Sequence, residues 1–305
     1  MKRREWLLGT GGAGVSLLAG AEEKAGFQLR YVLSSAMYGG LPLAQVLESV
    51  KKSGAESVDI WRKVHATHRE QIAEMGDEAF QGLLKKYDTK MSVSTCYPLG
   101  PFRQGGELRW VKANGGRMTV CGSGGMGEKD PKGKEAKRQV KAFFEKLKPH
   151  YELAEELGVI MAIENHKNSM LSSSDSIRYF GELNPSKNVG VAFAPHHLYD
   201  AIDAIPKLIA ELGRENIPFF YFQEYHLSSK KKMTKQDELK QMPGFGSLNF
   251  LPIVSALKKI GFDGLSEIFM HPVPRGIPML PTAAEINTVI NKSRSYLTKC
   301  LEEVS

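Results

Sequence analysis

Cysteine is scarce in this chain: three in 305 residues, an odd number at wide spacing, which excludes a disulfide-stapled scaffold. Cys96 and Cys121 lie inside apolar, strand-like segments, and with Cys300 they are expected as buried thiols. No uninterrupted apolar run reaches the roughly 20 residues that a bilayer-spanning helix requires. Low-complexity tracts and short-period repeats are lacking too. The 30 glycines and 15 prolines are scattered between apolar segments, so neither a linker nor a solenoid is indicated. The densest basic cluster, Lys230-Lys231-Lys232, sits in a polar stretch without interleaved aromatics. It reads as a solvated loop, and no nucleic-acid partner is expected.

What is present begins with an unusual amino terminus. Lys2, Arg3 and Arg4 precede an apolar, glycine-rich run over residues 6–18, followed by Ala19-Gly20-Ala21. The arginine pair resembles a twin-arginine export signal, and the Ala-x-Ala triplet offers a cleavage site before Glu22. Residues 1–21 are therefore expected to engage the export machinery transiently and be removed. That leaves an exported, periplasmic or extracytoplasmic domain over residues 22–305 with no stable membrane insertion. Losing three positive charges and Glu5 lowers the formal balance from +7 to +5, mild for a protein of this size.

After that segment, short β-branched or aromatic runs alternate with helical patterns, as in a parallel sheet covered by helices. Eight strand candidates occur, at 29–34, 57–61, 91–96, 118–122, 159–164, 189–193, 219–223 and 264–269. Eight is the number at which such a sheet closes, so the expected fold is α/β, a single (β/α)8 TIM barrel. Between the strands, apolar residues recur at helical spacing, as in Leu43, Val46, Leu47 and Val50, or Val140, Phe143, Phe144 and Leu147. The third unit is the exception. Its glycine-rich stretch leaves only residues 107–112 for a turn or two of helix, so it is expected to be largely loop.

In such barrels the carboxyl ends of the strands deliver polar side chains to a shared mouth. Strand five ends in Ile163-Glu164-Asn165-His166, strand six in Phe193-Ala194-Pro195-His196-His197 and strand seven in Phe222-Gln223-Glu224-Tyr225-His226. Strand eight carries Glu267 before Ile268-Phe269-Met270-His271, and strand two carries Asp59. A carboxylate directly after an apolar strand is costly unless paired, so Glu164 and Glu267 each need a cation, a metal or a donor network. Taken singly, either could belong to a structural ion pair. Taken together, they could face one another across a bound sugar and move a proton on and off carbon.

The chain at this point resembles the sugar isomerase and epimerase families of the xylose isomerase-like barrels. Carrying the resemblance are Ile163-Glu164-Asn165-His166, the segment 189–198, the run Pro243-Gly244-Phe245-Gly246-Ser247-Leu248-Asn249-Phe250, and Phe262-Asp263-Gly264 leading to Glu267. It implies a divalent cation held by glutamates on strands five and eight, an aspartate on strand six and a histidine on strand seven. By motif the candidate metal ligands are Glu164, Glu267, Gln223 and His197, with Glu164 and Glu267 also the catalytic acid and base. Two positions depart from the pattern, because Ala194 replaces the aspartate and Gln223 the histidine. A cation site short of one carboxylate is weakened for magnesium. Substitution by His196, His197 or His226 would shift it toward zinc, manganese or iron. The same histidines serve equally as neutral groups that grip sugar hydroxyls.

The sequence thus points to a small carbohydrate substrate, touched by His166, His197, His226, Asp59 and Arg275. Arg275 would bind a carboxylate or phosphate, or else staple its loop. Glu224 and Asp200 are candidates to orient the histidines. The reaction expected is isomerisation or epimerisation. Elimination from an oxidised, keto-type glycoside is the alternative, and a carbohydrate-binding barrel without catalysis the third reading. The abasic-site endonuclease branch of the superfamily needs a larger acid and histidine cluster than these strand ends offer. The sequence leaves oligomeric state open.

Overall fold

The structure, a computed structural model, describes residues 26–304. The segment read as an export signal lies outside them. Eight parallel strands close into a barrel in sequence order. They are β1 Arg30–Ser34, β2 Ser57–Trp61, β3 Met91–Thr95, β4 Met118–Gly122, β5 Ile160–Glu164, β6 Val189–Phe193, β7 Phe219–Phe222 and β8 Leu265–Ile268. β1 pairs with β8 through Val32 opposite Glu267, which completes the ring. The strand candidates read from sequence overlap all eight, with ends displaced by no more than one residue. They are legible because parallel strands are covered on both faces and so appear as continuous apolar runs.

Alternation sorts the side chains. On β7, Phe220 and Phe222 point to the helix layer, against Phe262 and Phe250, while Tyr221 faces the interior. The apolar stripes of the helices Leu43–Lys52 and Gly133–Leu157 are buried as their spacing implies. Cys96, Cys121 and Cys300 are free and buried. No described helix is long and apolar enough to cross a membrane.

The third unit differs from its reading as loop. Two short 3-10 turns lead into a helix over Gly105–Ala113. Propensity alone would not hold it; tertiary contacts do. Leu108 and Val111 are buried, Trp110 donates to Asp77 at 2.9 Å, and buried Glu107 pairs with Arg62 and Arg69 at 3.2 Å each. The Pro-Gly-x-Gly run has an equally local reason. Glu224 accepts the backbone N–H groups of Ser247 and Leu248, and a Cβ on Gly246 would come within 2.2 Å of that carboxylate.

Candidate active site at the strand ends

The last residue of β5 is Glu164, and two histidines join it. One Glu164 carboxylate oxygen lies 3.7 Å from His197 Nε2, and the ligand atoms of Glu164, His166 and His197 all fall within 4.8 Å of one another. The rings of His166 and His197 are 3.8 Å apart, and His196 follows at 4.1 Å from His197. His166 donates from Nδ1 to the Lys167 carbonyl at 2.7 Å, which leaves Nε2 free. Asn165 fixes the adjoining backbone: its side chain accepts the Ala194 N–H at 2.7 Å and donates to the Ala194 carbonyl at 3.0 Å. The loops after β5 and β6 are thereby locked together.

Burial decides the protonation states here. It pushes His196 down to about 3, and His197 well below the usual imidazole range, with neighbouring imidazoles adding to the effect. Both rings are neutral, the form that binds metals or pairs with hydroxyls. Burial raises the Glu164 carboxyl, opposed by His166, the Tyr97 phenol and Arg275.

A cavity of about 140 Å³ opens beside this cluster, with His166, His196, His197, Gln223, His271 and Arg275 in its wall. Both nitrogens of His196 and the Oε1 atom of Gln223 are buried there without a hydrogen-bond partner. Such orphaned groups are rare in native structures and here line the space a ligand would enter. Wider clefts of about 510 and 490 Å³ flank the cavity, sharing His197 and Lys167 on one side, and His196, Tyr199 and Tyr225 on the other.

Glu267 lies deeper in the barrel. It is third of the four residues in β8 and has no exposed surface, and Asp59, Ser34 and the Glu164 charge act on its carboxyl. Its neighbour is Asp59, also fully buried, which accepts from Thr95 at 2.5 Å. Two residues further along the same inward faces stand Trp61 and Phe269, stacked at 4.8 Å between ring centroids, and they roof the acid pair. Burial, then the Asp59 charge, holds Glu267 well above the usual carboxylate range, and burial lifts Asp59 to about 7. The pair shares a proton because two adjacent buried carboxylates cannot both ionise.

Of the residues read from sequence, the structure thus brings together Glu164, His166 and His197, and His166, His197, Gln223 and Arg275 line the cavity. Glu164, Glu267 and Asp59 are not in that wall. His226 lines none of the three cavities; its Nδ1 accepts the Ser228 N–H at 3.2 Å and closes a turn. Nor do Glu224 and Asp200 orient the histidines, since Glu224 holds the 247–248 backbone and Asp200 pairs with Lys167. Residues the sequence reading passed over include Tyr97, whose hydroxyl is 3.2 Å from that of Tyr221, along with Lys167, Lys230 and the stacked pair Tyr199 and Tyr225. Aromatics just past strand ends, at 97, 199 and 225, were the available signal.

The sequence model of the xylose isomerase-like TIM barrel family matches residues 47–294. No curated protein matches the chain by sequence. Among solved structures, the IolI protein with a binding zinc atom is 16% identical at a TM-score of 0.67, over 91% of this chain and 99% of its own. The 3-keto-D-glucoside 4-epimerase YcjR from E. coli is 13% identical at 0.65, over 90% and 100%. A D-psicose 3-epimerase determined with D-fructose is 14% identical at 0.65, over 90% and 99%.

Proposed function

We infer that this chain, which belongs to the xylose isomerase-like TIM barrel family, is a carbohydrate-modifying enzyme that moves a proton next to a carbonyl. The observation that carries the reading is the carboxylate Glu164 packed against the neutral His197, which lines a strand-end cavity, while the second, Glu267, lies beneath Trp61 and Phe269. The sugar epimerases of the same fold support the substrate class.

Glu164 takes the proton from carbon; burial has raised its basicity for that task. Neutral His196 and the Gln223 carboxamide have free polar atoms for sugar hydroxyls and fix the orientation. With one carboxylate in reach, the proton is removed and returned on the same face, which is an isomerisation between adjacent carbons. Inversion at a single carbon needs a second group opposite, and Glu267 fills that role only if substrate reaches past the aromatic roof.

The residues also fit a divalent metal. Glu164, His166 and His197 offer a carboxylate and two imidazoles, with Gln223 Oε1 unpartnered nearby, a donor set suited to zinc, manganese or iron. Bound there, the ion would polarise the substrate carbonyl. The flanking clefts favour a second reading, elimination from a keto-glycoside whose aglycone they would house. Export through the Arg3-Arg4 signal is part of the same proposal and places the enzyme where glycans are degraded.

The test is solvent-deuterium incorporation across ketoses, aldoses and keto-glycosides, with Glu164→Gln and Glu267→Gln compared. Loss of roughly 10²-fold or more in Glu164→Gln, with Glu267→Gln little changed, fits same-face isomerisation. Equal loss in both restores the two-carboxylate epimerase, and release of an aglycone establishes the lyase. No incorporation or product from any sugar that binds overturns enzymatic proton transfer.

A further inference from the structure

The wall of the strand-end cavity is unusual in charge. Its twelve residues include Lys167, Lys230 and Arg275 but no aspartate or glutamate. A site built for a neutral sugar uses carboxylates to accept from pairs of hydroxyls. This wall offers donors and cations instead.

The three cations are not equivalent. Lys167 is already neutralised by Asp200, and it donates to the Tyr199 hydroxyl at 2.8 Å. Lys230 has no acidic partner among the described residues; its ammonium lies 5.3 Å from the Tyr225 ring and 5.9 Å from that of Tyr199, the two rings stacked 3.8 Å apart. Arg275 forms no hydrogen bond and no ion pair among the described residues; its side chain is exposed, and the Tyr97 phenol and Glu164 favour its charge from a distance. Nor does its guanidinium staple the loop. Close backbone contact does that: a Cβ on Gly276 would lie 2.8 Å from the Val64 carbonyl oxygen, and one on Gly39 would lie 2.2 Å from the Ile277 carbonyl carbon. A solvent-accessible guanidinium with five unused donors, on a loop at the cavity wall, can receive an anion entering that cavity.

Resting on the proton-transfer reading of the same site, we propose that the substrate is an acidic sugar whose carboxylate or phosphate is held between Arg275 and Lys230. The neutral histidines and Gln223 then address the hydroxyl and carbonyl part, and Glu164 the carbon-bound proton. The Lys230 ammonium stands over the stacked tyrosine rings, its charge presented without a competing acid among the described residues.

The experiment uses the processed protein and a panel of pentoses and hexoses, each as neutral sugar, sugar acid and sugar phosphate. Binding is read by calorimetry and deuterium incorporation by NMR. The acidic member of a set is expected to bind roughly tenfold or more tighter than the neutral one, with an advantage that shrinks as salt rises. Arg275→Gln and Lys230→Gln should each remove most of that advantage, while Arg275→Lys keeps part of it. The sugar-acid and sugar-phosphate arms tell which anion is read. Equal or tighter binding of neutral sugars, no binding by any acidic member, or a preference untouched by both glutamine variants overturns the proposal. Tight acidic-sugar binding without deuterium incorporation leaves the anion site standing and removes the proton-transfer reading, so the two fail separately.

Discussion

Glu267→Gln should make the protein more stable at neutral pH, an unusual outcome for a polar change in a barrel interior. The sign follows from linkage. Burial and the adjacent Asp59 hold the Glu267 carboxyl well above 4.5, so the folded chain keeps a proton that the unfolded chain has released. The stability of that protonated form is fully present below pH 4.5 and is lost as pH rises. The slope cannot exceed about 1.4 kcal/mol per pH unit for one proton, which sets the scale of the effect. Glutamine keeps the size and the donor but has no proton to take up. Asp59 shares that proton, so the difference between the two proteins reports the acid pair as a unit. Thermal denaturation followed by circular dichroism at pH 4, 5, 6 and 7 is the assay. The two curves should coincide at pH 4 and separate as pH rises, the variant melting at the higher temperature. A variant less stable than its parent at pH 7, or a gap that does not widen with pH, would refute the shared-proton reasoning.

Three further outcomes are expected. His166→Ala with His197→Ala should cut metal content, measured by plasma mass spectrometry of protein purified with zinc or manganese, to near background while the circular dichroism spectrum stays unchanged. Gly246→Ala should lower stability by about 1–3 kcal/mol in urea unfolding, because its methyl group meets the Glu224 carboxylate that holds the 247–248 backbone. Replacing Arg3 and Arg4 together with lysine should retain the unprocessed chain in the cytoplasm, read by fractionation and immunoblot; undiminished export would exclude the twin-arginine route.

The barrel was legible because its strands are buried on both faces, and the stretch ending at Glu164 shows this plainly: three apolar residues and then an acid. The third helix was not, since Gly105 and Gly106 argue against helix locally and the burial of Leu108 and Val111 is a tertiary fact. At the site, Glu164, His166 and His197 were found because they follow a strand directly. Glu267 also follows apolar sequence, but it lies one residue inside its strand, and two aromatics from different strands meet above it. Nothing in a linear reading sets Trp61 against Phe269. The acid pair is hidden by a contact between residues 208 positions apart in a chain of 305. His226 and Glu224 bond to backbone N–H groups of nearby loops, a use of polar residues after a strand that a linear reading does not separate from ligand binding.

The amide clamp of Asn165 on Ala194 separates two things that a metal site usually ties together. Where an aspartate side chain binds an ion, the ion helps to shape the loop that carries it, and losing the ligand disturbs the loop. Here the backbone at 194 is held at both its N–H and its carbonyl by a neighbouring strand, whatever side chain projects from it. Position 194 can therefore gain or shed a ligand while the mouth of the barrel keeps its form. A polar side chain substituted at 194 would alter the chemistry of the strand ends without requiring the backbone that carries it to move.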